Sequence, residues 1–260
     1  MILLSFDIEE FDMPFEYGKE ISLEEQMSIS IQGTTTILDL LQKYQIKATF
    51  FSTVIFAQNT PLIMARIVNE GHEVASHSYY HSDFKVAHLL ESRLKLQEIT
   101  ATEVIGYRMP RMFPVNEIEV YKAGYVYNSS INPTFLPGRY NHFDKPRTYF
   151  RQENVLQIPA SVSPIIRFPL FWLSFHNIPV WLYLFLAKIT LKKDGYLNVY
   201  FHPWEFTNLK QPEKFGFPNY ISKNSGLEMA ERFEQMILHL KKKNYTFGTF
   251  KDLIEIITKN

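Results

Sequence analysis

The residues able to do chemistry concentrate in a few short stretches of this chain. His77 and His81 stand four apart in Gly71-His72-Glu73-Val74-Ala75-Ser76-His77-Ser78-Tyr79-Tyr80-His81, where a glycine closes a helical segment and a short apolar run reads as a strand. Neutral imidazole is the commonest protein ligand for a divalent metal. Two of them at this spacing reach one ion from one turn of a helix, or from a loop wound like one. Random placement of eight histidines over 260 residues gives about 0.2 such pairs, so spacing alone is weak support for a metal site. Position strengthens it. Other short apolar runs also end on residues that can act: Asp7 and Glu9 after Ile2 to Phe6, Arg108 after Val104 to Tyr107, and His202 after Tyr196 to Phe201. Taken singly, Asp7 reads as a helix cap, Arg108 as a surface ion-pair partner and His202 as a ring packed beside Trp204. In a parallel β/α barrel, however, strand ends converge on one face, and that face carries the active site.

The stretch Asp7-Ile8-Glu9-Glu10-Phe11-Asp12 puts four acids within six residues. Unpaired carboxylates are costly to bury, so this stretch is exposed or faces a cation. Ile8 cannot coordinate, which leaves Asp7, Glu9, Glu10 and Asp12 as acids that could complete a site. Side chains alternate along a strand, so Asp7 and Glu9 project to one side while Ile8 faces the packing.

The elements that must position these groups follow from pattern. Lys47 to Val54, rich in β-formers, reads as the second strand. Thr60-Pro61 starts a helix that Gly71 stops. Val86 to Glu103 has helical spacing at Leu89, Leu90, Leu94 and Ile99, and Asn116 to Ala123 is a short helix ended by Gly124. Tyr125 to Tyr127 opens a strand that runs into Asn128-Ser129-Ser130-Ile131, and Val155 to Pro159 forms another. Ser22 to Ile31 is ambiguous, although Ser22-Leu23-Glu24-Glu25 fits a capping box. A clearer helix opens at Gly33 and its three threonines, with Ile37, Leu38, Leu40 and Leu41 on its apolar side. Asn132 to Asn154 reads as an irregular excursion over the strand ends. Leu227 to Lys243 is a helix with a basic last turn, as the helix dipole favours, and a last helix starts near Thr249. Strands alternating with helices at this interval predict parallel βαβ units. No repeat or linker divides residues 1–260, so a single domain is expected.

Composition narrows the function. Hydrophobic residues make up 46% and aromatics 15% of the 260 residues, ample for a packed core. Lys plus Arg and Asp plus Glu are 27 each, for a net charge of zero, so no basic excess argues for nucleic acid. The absence of cysteine removes disulfides, thiolate ligands and a cysteine nucleophile, leaving His, Asp and Glu as candidate ligands. Met1 to Phe6 lacks the basic leader region of a secretory signal, so a cytoplasmic location is expected. Ile165 to Thr190 is the most apolar region, but Arg167, His176, Asn177 and two prolines interrupt it. Its cleanest run falls short of the roughly 20 residues a transmembrane helix needs, so it reads as a core or surface-capping helical segment.

In this order the stretches resemble the NodB-type polysaccharide deacetylases, metal-dependent carbohydrate esterases on a distorted (β/α) barrel. The resemblance runs from Leu3 to about Phe250. Ser5-Phe6-Asp7 is similar to the family's first motif, whose aspartate is the general base, and Lys47-Ala48-Thr49-Phe50-Phe51 to its second strand. His77-Ser78-Tyr79-Tyr80-His81 matches the H-S/T-x-x-H metal motif. Arg108-Met109-Pro110 resembles the motif whose arginine orients the base, and His202 corresponds to the late histidine that serves as general acid. Two departures stand out. Many members carry a second aspartate where Ile8 stands; a branch with D-x-D uses the second acid as ligand, and Glu9 occupies that place. Asn128, in Tyr127-Asn128-Ser129-Ser130, replaces a carboxylate, which puts in question how the late histidine is held unless Glu205 compensates.

The resemblance implies hydrolysis of an N-acetyl, or O-acetyl, group on a sugar or polysaccharide. Glu9, His77 and His81 would hold a divalent metal, zinc first, with cobalt, nickel or manganese as the other ions. Asp7 would be the base, Arg108 its partner and His202 the acid. A carbohydrate is the implied partner, with Tyr79, Tyr80 and Trp204 available to stack on sugar faces. Two other readings share the fold: a cyclic-amide hydrolase of the allantoin type, which needs a small closed pocket, and a non-catalytic glycan-binding module, suggested by Ile8 and Asn128.

Overall fold

The computed structural model describes residues 1–137 and 140–259. Its strands in chain order are β1 (Ile2–Ile8), β2 (Thr49–Ser52), β3 (Glu73–Ser76), β4 (Gly106–Tyr107), β5 (Tyr127–Asn128), β6 (Phe135–Leu136), β7 (Tyr140–Asn141), β8 (Phe150–Gln152), β9 (Val155–Gln157), β10 (Leu197–Phe201) and β11 (Phe247–Gly248). β6 and β7 form a small separate hairpin; the irregular stretch expected over Asn132 to Asn154 thus carries short strands, and Gly138 and Arg139 within it lie outside the described residues. The others make one sheet in the order β10-β1-β2-β3-β4-β5-β9-β8, with β11 also pairing β1.

Apart from the β8–β9 hairpin every pairing in this sheet is parallel. A parallel sheet is covered on both faces, and β1 is buried at every residue. Phe6 on β1 pairs with Phe50 on one side and Phe201 on the other, so the first strand is an interior strand of the sheet. The two ends of the sheet curl toward each other. Past β9, the Ser161 N–H donates to Asn198 O on β10 at 2.8 Å, and Asn198 Nδ2 donates to Ile158 O at 3.3 Å and Pro159 O at 3.0 Å. The result is a distorted barrel.

The helix before β2 spans Leu23–Lys43, and the Glu25 N–H donates to the Ser22 side chain that caps it at 3.2 Å. The ambiguous stretch from Ser22 is therefore the start of this helix, and Gly33 lies inside it. Glycine in a helix interior is disfavoured, and its reason here is space. A Cβ on Gly33 would fall 1.8 Å from the Pro203 carbonyl oxygen, so only a bare backbone lets the helix meet the turn that follows β10. Gly33→Ala is expected to lower stability by about 3 kcal/mol, the upper part of the usual overpacking range, with a lower melting temperature. Turnover should fall as well, because Pro203 follows His202 directly.

The apolar region 165–190 resolves into helices Trp172–Asn177 and Val180–Asp194, parted at Pro179. Among the described residues no helix is long and apolar enough to cross a membrane. Because β1, β3, β4 and β10 run the same way, their carboxyl ends open on one face.

Candidate active site

At that face Asp7, Glu9, His77, His81 and His202 line one cavity of about 350 Å³. β1 brings Asp7 and Glu9 to the cavity on one side of the chain, while Ile8 between them is wholly buried in the core, as alternation requires. The ligand atoms of Glu9, His77 and His81 all lie within 4.8 Å of one another. Glu9 Oε2 is 3.0 Å from His77 Nε2 and 3.1 Å from His81 Nε2. Burial disfavours the Glu9 carboxylate, but the charge of His81, the hydrogen bond of His77 and the charges of His202 and His77 outweigh it and pull its pKa down to about 2.

The outer nitrogens of both imidazoles are engaged elsewhere. His77 Nδ1 lies 2.9 Å from Arg108 O, and His81 Nδ1 lies 2.7 Å from Asp12 Oδ1. Each fixes a tautomer whose Nε2 lone pair faces the cluster, the usual support of a metal-ligating histidine. Glu9 Oε2 is buried with no partner other than these two imidazole nitrogens. Two imidazoles and a carboxylate converging in this way fit a divalent ion that takes three protein ligands and keeps an open position.

Beside the cluster Arg108 holds Asp7. The guanidinium is entirely buried; its Nη1 donates to Asp7 Oδ1 at 2.6 Å, its Nε to Ser129 O at 3.0 Å, and its Nη2 to Ser5 Oγ at 3.0 Å and Ser129 Oγ at 3.1 Å. The ring of Phe51 lies under it at 3.9 Å. Asp7 Oδ2 points the other way, 3.9 Å from His202 Nε2.

The carboxylate behind His202 is Glu205. His202 Nδ1 is 3.0 Å from Glu205 Oε1, and the same oxygen accepts the His202 backbone N–H at 2.6 Å. Glu205 Oε2 lies 3.0 Å from His176 Nε2, in a pair wholly shielded from solvent. Burial acts to lower the His202 pKa; the Glu205 hydrogen bond and the charges of Glu9, Glu205 and Asp7 outweigh it and push it above the ordinary histidine value. Asn128 does not reach this histidine. Its Nδ2 donates to buried Glu117 at 2.8 Å, and its carbonyl oxygen accepts from Ser130.

Trp204 lines the cavity but is almost fully buried, and it lies flat against the His202 ring at 4.7 Å between centroids. Tyr79 and Tyr80 are not brought to the cavity. Ser78 has a left-handed backbone, φ 71°, which turns the next two residues outward; their rings pack on each other at 4.9 Å and against His88 at 5.7 and 5.5 Å. The expectation that they stack on a sugar is corrected accordingly: the half-buried aromatics on the cavity wall are Tyr17 and Trp172. Sequence reasoning also passed over His176, Glu117 and Arg111. Arg111 lines the cavity and is tied to Glu16 at 2.5 Å and Asp12 at 3.2 Å.

The fold is thus a distorted β/α barrel with a His-His-Glu cluster and a salt-bridged aspartate at the carboxyl ends of its strands. A family model described as polysaccharide deacetylase matches residues 25–113. Over 236 residues the chain is 25% identical to the peptidoglycan-N-acetylmuramic acid deacetylase PdaA of Bacillus subtilis (strain 168), covering 85% of this chain and 66% of that one. Over 91 residues it is 34% identical to a peptidoglycan-N-acetylglucosamine deacetylase of Bacillus cereus, covering 35% of this chain and 32% of the relative. The chain spans about a third of the length of the first curated relatives it matches. A crystal structure of a probable polysaccharide deacetylase from Pseudomonas aeruginosa PAO1 has a TM-score of 0.65 at 16% identity, over 96% of this chain and 88% of that one. Over these stretches the chain is similar to polysaccharide deacetylases, and its fold is the one they share.

Proposed function

We propose that this protein is a metal-dependent hydrolase that removes N-acetyl, or O-acetyl, groups from a sugar or polysaccharide, and that residues 1–260 act as a single deacetylase domain. The observation that carries the reading is Asp7 facing His202 at 3.9 Å beside the Glu9, His77 and His81 cluster. Held by those three residues, a divalent ion, zinc for preference, supplies Lewis acidity toward water and toward the acetyl carbonyl. Asp7 Oδ2 takes the proton of the attacking water, while Arg108 fixes Oδ1 and so aims the other oxygen. When the carbon–nitrogen bond breaks, the amine nitrogen needs a proton, and His202 Nε2 is the donor that faces the cavity. Glu205 on Nδ1 keeps that imidazole aimed and favours its protonated form. Trp172 offers an aromatic face to a sugar ring.

Ile8 and Asn128 prompted the alternative of a non-catalytic glycan-binding module. Glu9 supports catalysis by standing where a ligand is needed, and Glu205 by backing His202 in place of a carboxylate at 128.

The test is acetate release from N-acetylglucosamine oligomers and acetylated xylan, with metal content measured in parallel. Chelation is expected to abolish release and added zinc to restore it. His77→Ala and His81→Ala should lose bound metal and activity, each with a cooperative melting transition. Zinc-loaded protein that binds the oligomers without releasing acetate would instead make it the non-catalytic module.

A further inference from the structure

The helix Val180–Asp194 packs Tyr183, Leu184, Ala187 and Leu191 inward, and the opposite stripe is open to solvent. Trp181 is 70% exposed, Phe185 56% and Ile189 39%. Residues four apart share a helix face, so Trp181, Phe185 and Ile189 form one row. Lys188 and Lys192, also exposed, fall on the same stripe toward its carboxyl end, with exposed Lys193 beside it. Asp194 is the acid in this helix, and it is paired with Arg147. The stripe is therefore apolar in its first turns and basic in its last, with no acid of the helix to balance the lysines.

We propose that this stripe docks the protein onto an anionic lipid surface. Trp181 and Phe185 enter the boundary between headgroups and acyl chains, where indole and phenyl rings are favoured, and Lys188 and Lys192 lie against the lipid phosphates. Charge selects this occupant. A second copy of the chain laid on the same stripe would bring the same lysines and no acid of this helix to meet them, whereas an anionic headgroup layer supplies the countercharge. Among the described residues no helix is long and apolar enough to span a membrane, so the contact is made by this exposed row while the opposite side of the helix stays packed on the core. It follows Trp172–Asn177 closely in the chain, and Trp172 and Leu173 line the cavity, so docking holds the cavity beside the lipid surface.

The experiment is flotation of the full chain with vesicles of phosphatidylglycerol and phosphatidylcholine in equal parts, and with phosphatidylcholine alone, at about 0.1 M salt, where screening is moderate. The wild type is expected to float with the anionic vesicles and to remain largely behind with the neutral ones. Lys188→Gln and Lys192→Gln should each reduce partitioning about fivefold, the worth of one lysine at such a surface, and Trp181→Ser with Phe185→Ser should abolish it. Melting temperatures within a few degrees of wild type show that the variants fold, without reference to activity, so failure here is separate from failure of the deacetylase reading. Wild type that does not bind anionic vesicles overturns the proposal, as does binding unchanged in the folded variants. A wild-type dimer in sedimentation that Trp181→Ser dissolves, without vesicle binding, makes the stripe an interface between copies and overturns it equally.

Discussion

Asp7→Asn protein is expected to bind metal like the wild type and to turn over about 10² to 10⁴ times more slowly, the usual worth of a general base. Glu9→Gln is expected to do the reverse at the first step and lose the metal. The difference lies in what each carboxylate touches. Asp7 gives one oxygen to Arg108 at 2.6 Å and turns the other toward His202. Glu9 holds an oxygen between two imidazole nitrogens at 3.0 and 3.1 Å. An amide at position 7 keeps an oxygen for the guanidinium but has no basic lone pair left for a proton. An amide at position 9 presents one neutral oxygen where a charged one is needed. Metal titration and kinetics on the two variants decide it. Metal loss in Asp7→Asn with retention in Glu9→Gln would exchange the roles.

Arg108→Met should be the most damaging single substitution for stability. Removing one member of a buried ion pair leaves the other charged and unsolvated, which costs about 3–5 kcal/mol. Here Ser5, Ser129 and the Phe51 face lose their partner at the same time. Denaturant unfolding measures the loss directly. Double substitution of Asp7→Asn with Arg108→Met should recover part of the stability and none of the activity. A double variant no more stable than Arg108→Met would show that the loss comes from the serine and phenylalanine contacts instead.

Strand ends were legible because each is a short apolar run closed by a polar residue, and Asp7, Glu9, His77, His81 and His202 meet in one cavity on that account. Periodicity misplaced the first helix because Gly33 looks like a helix boundary, and the reason it is glycine lies in a contact with Pro203 far along the chain. The apolar run from Val104 to Tyr107 is strand only at Gly106–Tyr107, where it pairs with β3 and β5. Tyr79 and Tyr80 were misread because residue type does not encode direction, and the left-handed Ser78 reverses it. Glu205 stood in plain view three residues after His202. His176 did not, because its approach to Glu205 depends on a helix placed by the preceding loop.

The pairing of β1 with β10 bears on the order in which the molecule matures. Glu9, His77 and His81 all come from the first third of the chain, just past β1 and β3, the two strands that flank β2, and a ribosome-bound nascent chain can bring them together early. His202 arrives only when β10 docks, joining positions such as Ser5 and Val199 that are 194 residues apart. Closing a loop of that length costs about 5 kcal/mol in chain entropy, and distant pairings are slow to form. On the roles proposed above, the three ligands can therefore come together before the proton donor during synthesis, so that a growing chain would be able to take an ion before it could complete a turnover.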